Sequence, residues 1–386
     1  MSKIEELIQK YCPDGVEYKR FGDIATLEKG KGLQKTDFTD EGIGCIHYGQ
    51  IYTHFGISTT ETLTCTSAEK AKKFTVVHHG DIVMASTSEN VEDCGKSVVW
   101  LGSDDIVTGG HSIVIRTKQN PMYLAYVLQT PWFQKQKVKK VYGVKVIEFK
   151  PDELADIVIP VPPLPVQQEI VRILDSFTSL QDELQKELEE RSRQYKAVTN
   201  AIFVKYAEAS KKTLADISEN CDSARKPITA SKRVAGKTPY YGASGIVDYV
   251  SGFTHEGDYL LISEDGANLT ARTMPIAFSI RGKNWVNNHA HVLKFQNYAV
   301  QKYVETYINT HDISEFITGA AQPKLNQQNL YKIEIPIPDV DDVVQASDIF
   351  QLLEALRNQI ELEFSLRQQQ YTYYRDKLLS FPRKEA

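Results

Sequence analysis

Two stretches of this chain carry an unbroken helical rhythm of apolar and polar positions. In the first, Ile170, Ile173, Phe177, Leu180, Leu184, Leu188, Tyr195, Val198 and Ile202 recur at spacings that place them on one face. In the second, Ile349, Leu353, Leu356, Ile360, Phe364, Tyr371, Tyr374 and Leu378 do the same. Steps of three and four residues draw a single stripe along a helix. Glu, Gln, Lys and Arg fill the remaining faces, and neither run contains Gly or Pro. At about 1.5 Å per residue, roughly 40 residues make a rod of about 60 Å. A narrow stripe of that length is most simply buried helix against helix, as a two-stranded coiled coil. The pairing residues are then Ile173, Phe177, Leu180, Leu184, Leu188 and Tyr195 on one side and Ile349, Leu353, Leu356, Ile360, Phe364 and Tyr371 on the other. An antiparallel intramolecular pair with a pseudo-two-fold axis would set two bodies at opposite ends of a spacer; a parallel intermolecular pair is the alternative. Arg191 and Arg367 fall in the seam register, where they either specify the pairing or snorkel outward.

The helices belong to a larger duplication, the first thing to seek in any chain. Ile157 to Phe203 aligns without a gap on Ile333 to Leu379, an offset of 176 that matches Pro160 with Pro336, Ile173 with Ile349, Arg191 with Arg367 and Tyr195 with Tyr371. Gly143/Gly319 and Leu154/Leu330 keep that offset. Further upstream, Asp23-Ile24 matches Asp216-Ile217 and Tyr48-Gly49 matches Tyr241-Gly242 at 193, while Gly80-Asp81 matches Gly257-Asp258 at 177. The first copy therefore carries an insertion of about 16 residues between Tyr48 and Gly80. Each copy reads as a body (1–155 and 207–332) followed by a long helix (156–206 and 333–386). The bodies mix short β-like runs, such as Ile82–Met84, Ser112–Ile115, Tyr259–Ile262 and His291–Phe295, with helical stretches near 123–133 and 300–309. Prolines at 160–165 and 336–338 punctuate the start of each long helix.

Composition narrows the class. The 386 residues are 41% hydrophobic and 25% charged, an ordinary globular balance that excludes wholesale disorder. No apolar run reaches the length of a membrane span, and Met1 to Glu6 is too polar for a secretory signal, so a cytoplasmic location is expected. Five scattered cysteines without a C-x-x-C pair fit a reducing compartment rather than a disulfide scaffold or a cysteine zinc site. A net charge of −5 gives no support to indiscriminate polycation behaviour, although a local basic surface is compatible with it.

Several catalytic patterns fail on inspection. Cys94-Gly95-Lys96-Ser97 has the tail of a phosphate loop, but Asn90 stands where its leading glycine belongs. Gly30 and Gly32 lack the third glycine of a dinucleotide loop, and no Asn- or Asp-Pro-Pro-aromatic stretch exists for amino-methylation. Glu148-Phe149-Lys150 has nuclease spacing, but its nearest upstream aspartate is Asp105 and the motif has no echo in the second copy. His289-Ala290-His291 has no evident third metal ligand, and His289 aligns with His111. The chain reads as a non-enzyme that binds no metal.

What remains is basic and aromatic. Lys29, Lys31 and Lys35 lead into Tyr48, and Arg225, Lys226, Lys232, Arg233 and Lys237 lead into Tyr240 and Tyr241 at the matching place. Lys135, Lys137, Lys139, Lys140 and Lys145 surround Gly143; Gln322 and Lys324 follow Gly319, and Asn287, Asn288 and His289 precede a strand. Lysine and arginine neutralise phosphates, while Gln, Asn, Arg and Tyr reach base edges. A lysine run taken singly is a solvated face; basic loops at equivalent places in both copies favour DNA binding by Lys29, Lys31, Lys35, Tyr48, Lys139, Lys140, Lys145, Arg225, Lys226, Lys232, Arg233, Lys237, Tyr240, Tyr241, Asn288, His289, Gln322 and Lys324.

The layout resembles the specificity subunit of type I restriction-modification enzymes. The resemblance is carried by Ile159-Pro160-Val161-Pro162-Pro163-Leu164-Pro165 ahead of the first helix, Gly319-Ala320-Ala321-Gln322-Pro323-Lys324-Leu325 ahead of the second, Tyr240-Tyr241-Gly242-Ala243-Ser244-Gly245, and the terminal Gln370-Tyr371 to Leu379. It covers nearly the whole chain. Asp339 to Val344 departs from the first copy's Pro-Leu-x-x-Gln-Gln pattern, and Thr199-Asn200-Ala201 departs from Arg375-Asp376-Lys377, which makes the two partner-binding faces inequivalent. The resemblance implies an α+β fold: two mixed α/β target-recognition domains separated by two long helices that pair as an antiparallel coiled coil. It implies a subunit that reads a split double-stranded DNA target and scaffolds two methyltransferase (modification) subunits and restriction subunits. It places S-adenosylmethionine on the methyltransferase and ATP and Mg on the restriction partner, with no cofactor on this chain. A coiled-coil protein scaffold without DNA recognition is the rival reading, and a self-contained nuclease or methyltransferase a third.

Overall fold

The computed structural model describes residues 2–319 and 321–384. The chain divides into two compact units, Met1–Glu183 with Ser365–Ala386, and Leu184–Phe364. Each unit holds one body and a half of each long helix.

In the first unit the central sheet has the strand order Ala25–Lys29, Ser112–Thr117, Ile82–Ala85, Ser97–Trp100, Ser58–Thr59. The runs Ile-Val-Met-Ala and Ser-Ile-Val-Ile are covered on both faces, which is why they read as continuous apolar segments instead of alternating ones. In the second unit the order is Ser218–Asn220, Ala290–Phe295, Tyr259–Ser263, Ala277–Ile280. The pairings correspond residue for residue: Ile113 lies opposite Met84 as His291 lies opposite Ile262, and Ile115 opposite Leu27 as Leu293 opposite Asn220. Ile82–Ala85 and Ser112–Thr117 map onto their counterparts at an offset of 178, one residue from the value at Gly80-Asp81, and Ala25–Lys29 at 193. A second sheet repeats too. Thr108 pairs in parallel with Ile46, and Val286 pairs in parallel with Tyr241. That register makes Ile46, not Tyr48, the counterpart of Tyr241. Tyr48 instead starts the short helix Tyr48–Thr53, so the shared Tyr-Gly pair has different secondary structure in the two bodies.

Both sheets of the first body are one strand wider. Ser58–Thr59, within the insertion, adds the fifth strand of one; in the other, Thr64–Thr66 pairs with Ile43–Ile46 and Phe38–Thr39 adds a strand beyond it. A predicted helix near 123–133 is in fact two, Pro121–Leu128 and Pro131–Lys137. Thr130 caps the second and Pro131 cannot continue the first, so the chain turns there.

The long helices span Leu164–Lys205 and Val340–Leu378. Their contacts within each unit establish antiparallel pairing. In the second unit Tyr195 reaches Glu354 at 3.2 Å, while Phe203, further along its helix, meets Phe350, further back along the other, at 5.5 Å between rings. In the first unit Phe177 stacks on Tyr374 at 5.6 Å. Two helices cannot enclose a stripe completely. Ile173, Phe177, Leu180, Leu188, Tyr195, Ile349, Leu353, Ile360, Phe364 and Tyr371 are half-buried, Leu184 is buried, and Leu356 is exposed. Arg191 and Arg367 each bond to the Gln three residues on, Gln194 and Gln370, along their own helix.

The bodies grip the helix ends. Val166, Ile170, Val171 and Leu174 enter the first core, and Val343, Ala346 and Phe350 the second. The C-terminal segment returns to the first core with Leu379 and Phe381, and Pro382 accepts from Val16 N–H at 2.9 Å. At the first helix, Glu169 is held by Arg172 at 2.7 Å and Lys3 at 2.7 Å, which lower its carboxyl to about 2, with the Arg172 hydrogen bond the main cause. The folded value lies below the unfolded one, so this contribution is full above about pH 5 and is lost as pH falls through about 4.5 toward 2. Both cations are largely exposed, which limits its size. Glu169→Gln is expected to cost about 1–2 kcal/mol at pH 7. Denaturant unfolding as a function of pH should show the gap between wild type and variant closing toward acid.

Candidate nucleic-acid interface

In the first body the strand Ala25–Lys29 runs out beside the turn that joins the two sheets. Gly30 N–H donates to the Ser112 carbonyl and Gly110 N–H to the Gly32 carbonyl. A Cβ on Gly30 would lie 1.8 Å from the Gly109 oxygen, so only glycine permits this approach. It carries Lys29 and Lys31 to the turn bearing His111. The Tyr48 ring packs at a tilt against His111, 4.9 Å between centroids, and His47, 4.4 Å. Burial, with Lys35 and His111 nearby, pushes the His47 imidazole below its ordinary value. Lys29 reaches Glu148 at 3.2 Å, at the foot of the hairpin that bears Lys145. Lys29, Lys31, Lys35, Tyr48 and Lys145 thus belong to one neighbourhood. Lys31, Lys35, Lys139 and Lys145 are exposed and make no ion pair among the described residues. Lys140 is spent differently, on Glu153 and Asp156 at 3.0 and 3.3 Å.

The second body gathers its residues around the equivalent turn. Asn287 N–H donates to the Tyr241 carbonyl, and its side chain accepts from His289 N–H. Lys226 N–H donates to the Val286 carbonyl just before that turn. His289 Nδ1 meets Asp265 at 2.8 Å. Asp265, Gly266, Ala267, His289, Ala321, Gln322, Pro323 and Lys324 line a cleft of about 400 Å³. Three of the expected residues, His289, Gln322 and Lys324, therefore converge with acceptors and donors on one cleft; Ala320 of that segment lies outside the described residues. Asn288 is exposed on the turn.

Other expected contacts hold the scaffold together. Tyr240 is buried, with its hydroxyl against Ile228 N–H, and therefore does not present its ring to a ligand. Arg233 lies over that ring at 4.5 Å and pairs with Asp248 at 3.1 Å. Arg225 is largely buried between Asp222 and Glu264, at 3.2 and 2.6 Å, and donates to the Ala290 carbonyl. Its guanidinium fork is occupied inside the protein, which leaves Lys226, Lys232 and Lys237 as the exposed cations of the segment. The acidic partners Asp222, Glu264 and Asp265 escaped sequence reasoning, because each lies at a strand end with no periodicity to mark it.

The catalytic decoys resolve into structure. His291 is buried between Asp222 and the Leu325 carbonyl, at 2.7 and 2.8 Å, whereas His289 faces Asp265 on the turn. Among the described residues no group of three or more His, Cys, Asp or Glu could hold a metal ion. Cys94 is buried, its thiol pushed up to about 11 by burial, and Gly95 N–H pairs with the Ala85 carbonyl in the sheet instead of facing a phosphate. Glu148 is engaged by Tyr142 and Lys29.

Burial raises the Asp222 and Glu264 carboxyls, but the hydrogen bonds of His291 and Arg225 outweigh it, and both lie below their ordinary values. The stability they contribute is present above the unfolded values, near pH 4, and is lost as pH falls through the folded ones. Arg225→Ala removes the cation shared by two largely buried carboxylates, leaving Asp222 to His291 and Glu264 to Lys324, and should cost about 2–4 kcal/mol at pH 7, less below about pH 4. Lys232→Ala should change stability by less than about 0.5 kcal/mol. Thermal and denaturant unfolding separate the two roles.

A family model described as the type I restriction modification DNA specificity domain matches residues 13–191 and again 207–369. A putative type I restriction enzyme specificity subunit of Haemophilus influenzae is 36% identical over 182 residues, 45% of this chain and 47% of the relative. A type I restriction enzyme specificity subunit of Escherichia coli is 28% identical over 252 residues, 58% of this chain and 61% of the relative. The chain spans about half the length of these curated relatives. The crystal structure of a type I restriction-modification S subunit from M. genitalium shares the fold, with a TM-score of 0.63 at 16% identity over 95% of this chain and 96% of that one.

Proposed function

Because the chain belongs to the type I restriction-modification DNA specificity family, we propose that it is the sequence-reading subunit of such a system. Each body reads one half of a split, asymmetric double-stranded DNA target, and the paired helices set the gap, of the order of a helical turn of about 34 Å. The observation that carries this reading is the shared strand register of two bodies whose exposed turns bear different residues. Gly109-Gly110-His111 in one stands where Asn287-Asn288-His289 stands in the other. One scaffold with two surfaces suits two different half-sites.

The chain itself carries out no chemistry in this reading. It scaffolds two modification subunits, which bring S-adenosylmethionine, and restriction subunits, which bring ATP and Mg. The repeated helix faces supply a physical reason for two copies of one partner. No helix among the described residues is long and apolar enough to cross a membrane, which is compatible with work on DNA in the cytoplasm.

Long-read methylation sequencing of a host expressing the cognate methyltransferase with and without this chain tests the reading. A split motif methylated only when the chain is present is the expected result. Methylation that is unchanged, despite a demonstrated complex with the methyltransferase, would leave a protein scaffold without DNA recognition as the better description. In the assembled complex, Lys31→Ala and Lys232→Ala should each lower the salt dependence of DNA binding by about one phosphate equivalent, with the motif unchanged.

A further inference from the structure

The tip of one hairpin in the first body has no folding role that explains it. Val144 is 96% exposed and Val146 58% exposed, with the exposed Lys145 between them. Single exposed apolar residues are ordinary, but two at one projecting tip are not easily placed by packing.

The tip is also held stiffly. Tyr142 N–H donates to the Glu148 carbonyl at 3.1 Å and Glu148 N–H to the Tyr142 carbonyl at 2.8 Å. The Tyr142 hydroxyl meets the Glu148 carboxylate, and Lys150 lies over the Tyr142 ring at 4.5 Å. Gly143 takes φ +119°, and a Cβ there would lie 1.9 Å from the Val146 oxygen. Ile147 and Phe149 anchor the stem in the core. The frame fixes the valines before any partner arrives, so little ordering entropy is left to lose on contact.

The second body builds the same frame. Thr318 and Lys324 form the equivalent bridge, and Gly319 takes φ +84°. There, Gln322 stands at the place of Val146. A common frame with a changed tip is what two half-sites of different sequence demand.

We propose that Val144 and Val146 read the first half-site by packing their methyl groups on thymine C5-methyls in the major groove. Valine offers no hydrogen bond, and the thymine methyl is the apolar group that the major groove presents. Lys145 at the tip and Lys31, two residues beyond the Lys29 that pairs with Glu148 at the foot of the hairpin, are exposed and supply the charge that brings the tip to a phosphate-lined groove. The assignment rests on the DNA-reading function above.

The test uses the complex assembled with its modification subunits. Once methylation mapping has defined the target, each thymine of the first half-site is replaced by uracil, which removes the methyl group and keeps the pairing. Wild type should lose about 3- to 10-fold in affinity at one or more of these positions. The variant Val144→Ala/Val146→Ala should bind the thymine duplex more weakly by a similar factor and be indifferent to uracil. Both positions are exposed, and an unchanged melting temperature confirms that the variant folds. A first half-site without thymine, a wild type indifferent to every uracil, or a variant that still senses the loss of the methyl overturns the assignment. Failure of the wild-type complex to prefer any split duplex over a scrambled one would instead sink the DNA-reading function itself.

Discussion

A helix of some forty residues with an apolar stripe along one face must find cover for that stripe along its length. Most of the architecture follows from that requirement. Within each unit the cover comes from the opposite long helix, running the other way, and at the ends from a body core that takes in side chains such as Ile170, Leu174 and Phe350. Antiparallel pairing gives each unit the start of one helix and the end of the other. It also explains why the C-terminal segment is used structurally. Leu379 and Phe381 fill the first core at the offset where Phe203 fills the second, and Val16 pairs with the returning chain.

Duplication does not make the two helix joints equivalent. In the first unit Tyr126 donates to Asp175, and Tyr371 to Gln129, at 2.6 and 3.1 Å. In the second, Lys302 on the helix that packs against this joint sits almost fully buried between Glu305 and Glu354, at 3.0 and 2.5 Å. Burial alone would lower the Lys302 ammonium, but the two carboxylates hold it above its ordinary value. Removing one partner of such a buried cluster leaves an uncompensated charge, which is costly, so the triad pins this joint to one arrangement.

The basic residues divide by environment. Arg225 and Arg233, with planar forks suited to paired acceptors, are bound to Asp222, Glu264 and Asp248 and to the face of Tyr240. The flexible lysines at 31, 35, 145, 226, 232 and 237 stay exposed. A net charge of −5 is thus consistent with cationic turns, because acids such as Asp222, Glu264 and Asp248 lie inside the loops, on the arginines, while the lysines point outward.

The sequence by itself determined the duplication, the two long helices, the absence of recognisable catalytic patterns and the general location of the basic turns. All of these are local or repeat along the chain, and periodicity and offset expose them directly. Only the tertiary structure decided which charged residues are free. Arg225 and Lys226 are adjacent in sequence, yet one is locked to Glu264, thirty-nine positions away, and the other is exposed. Tyr48 and Tyr241 share a motif but not a strand register, because the offset between the copies has already slipped from 193 at Leu27 and Asn220 to 195 at Ile46 and Tyr241. The exposed valines of the hairpin were equally hidden, since an apolar residue in a short run reads as core until the fold shows what covers it. Burial and ion pairing are long-range properties, and composition and spacing report only what lies within a few residues.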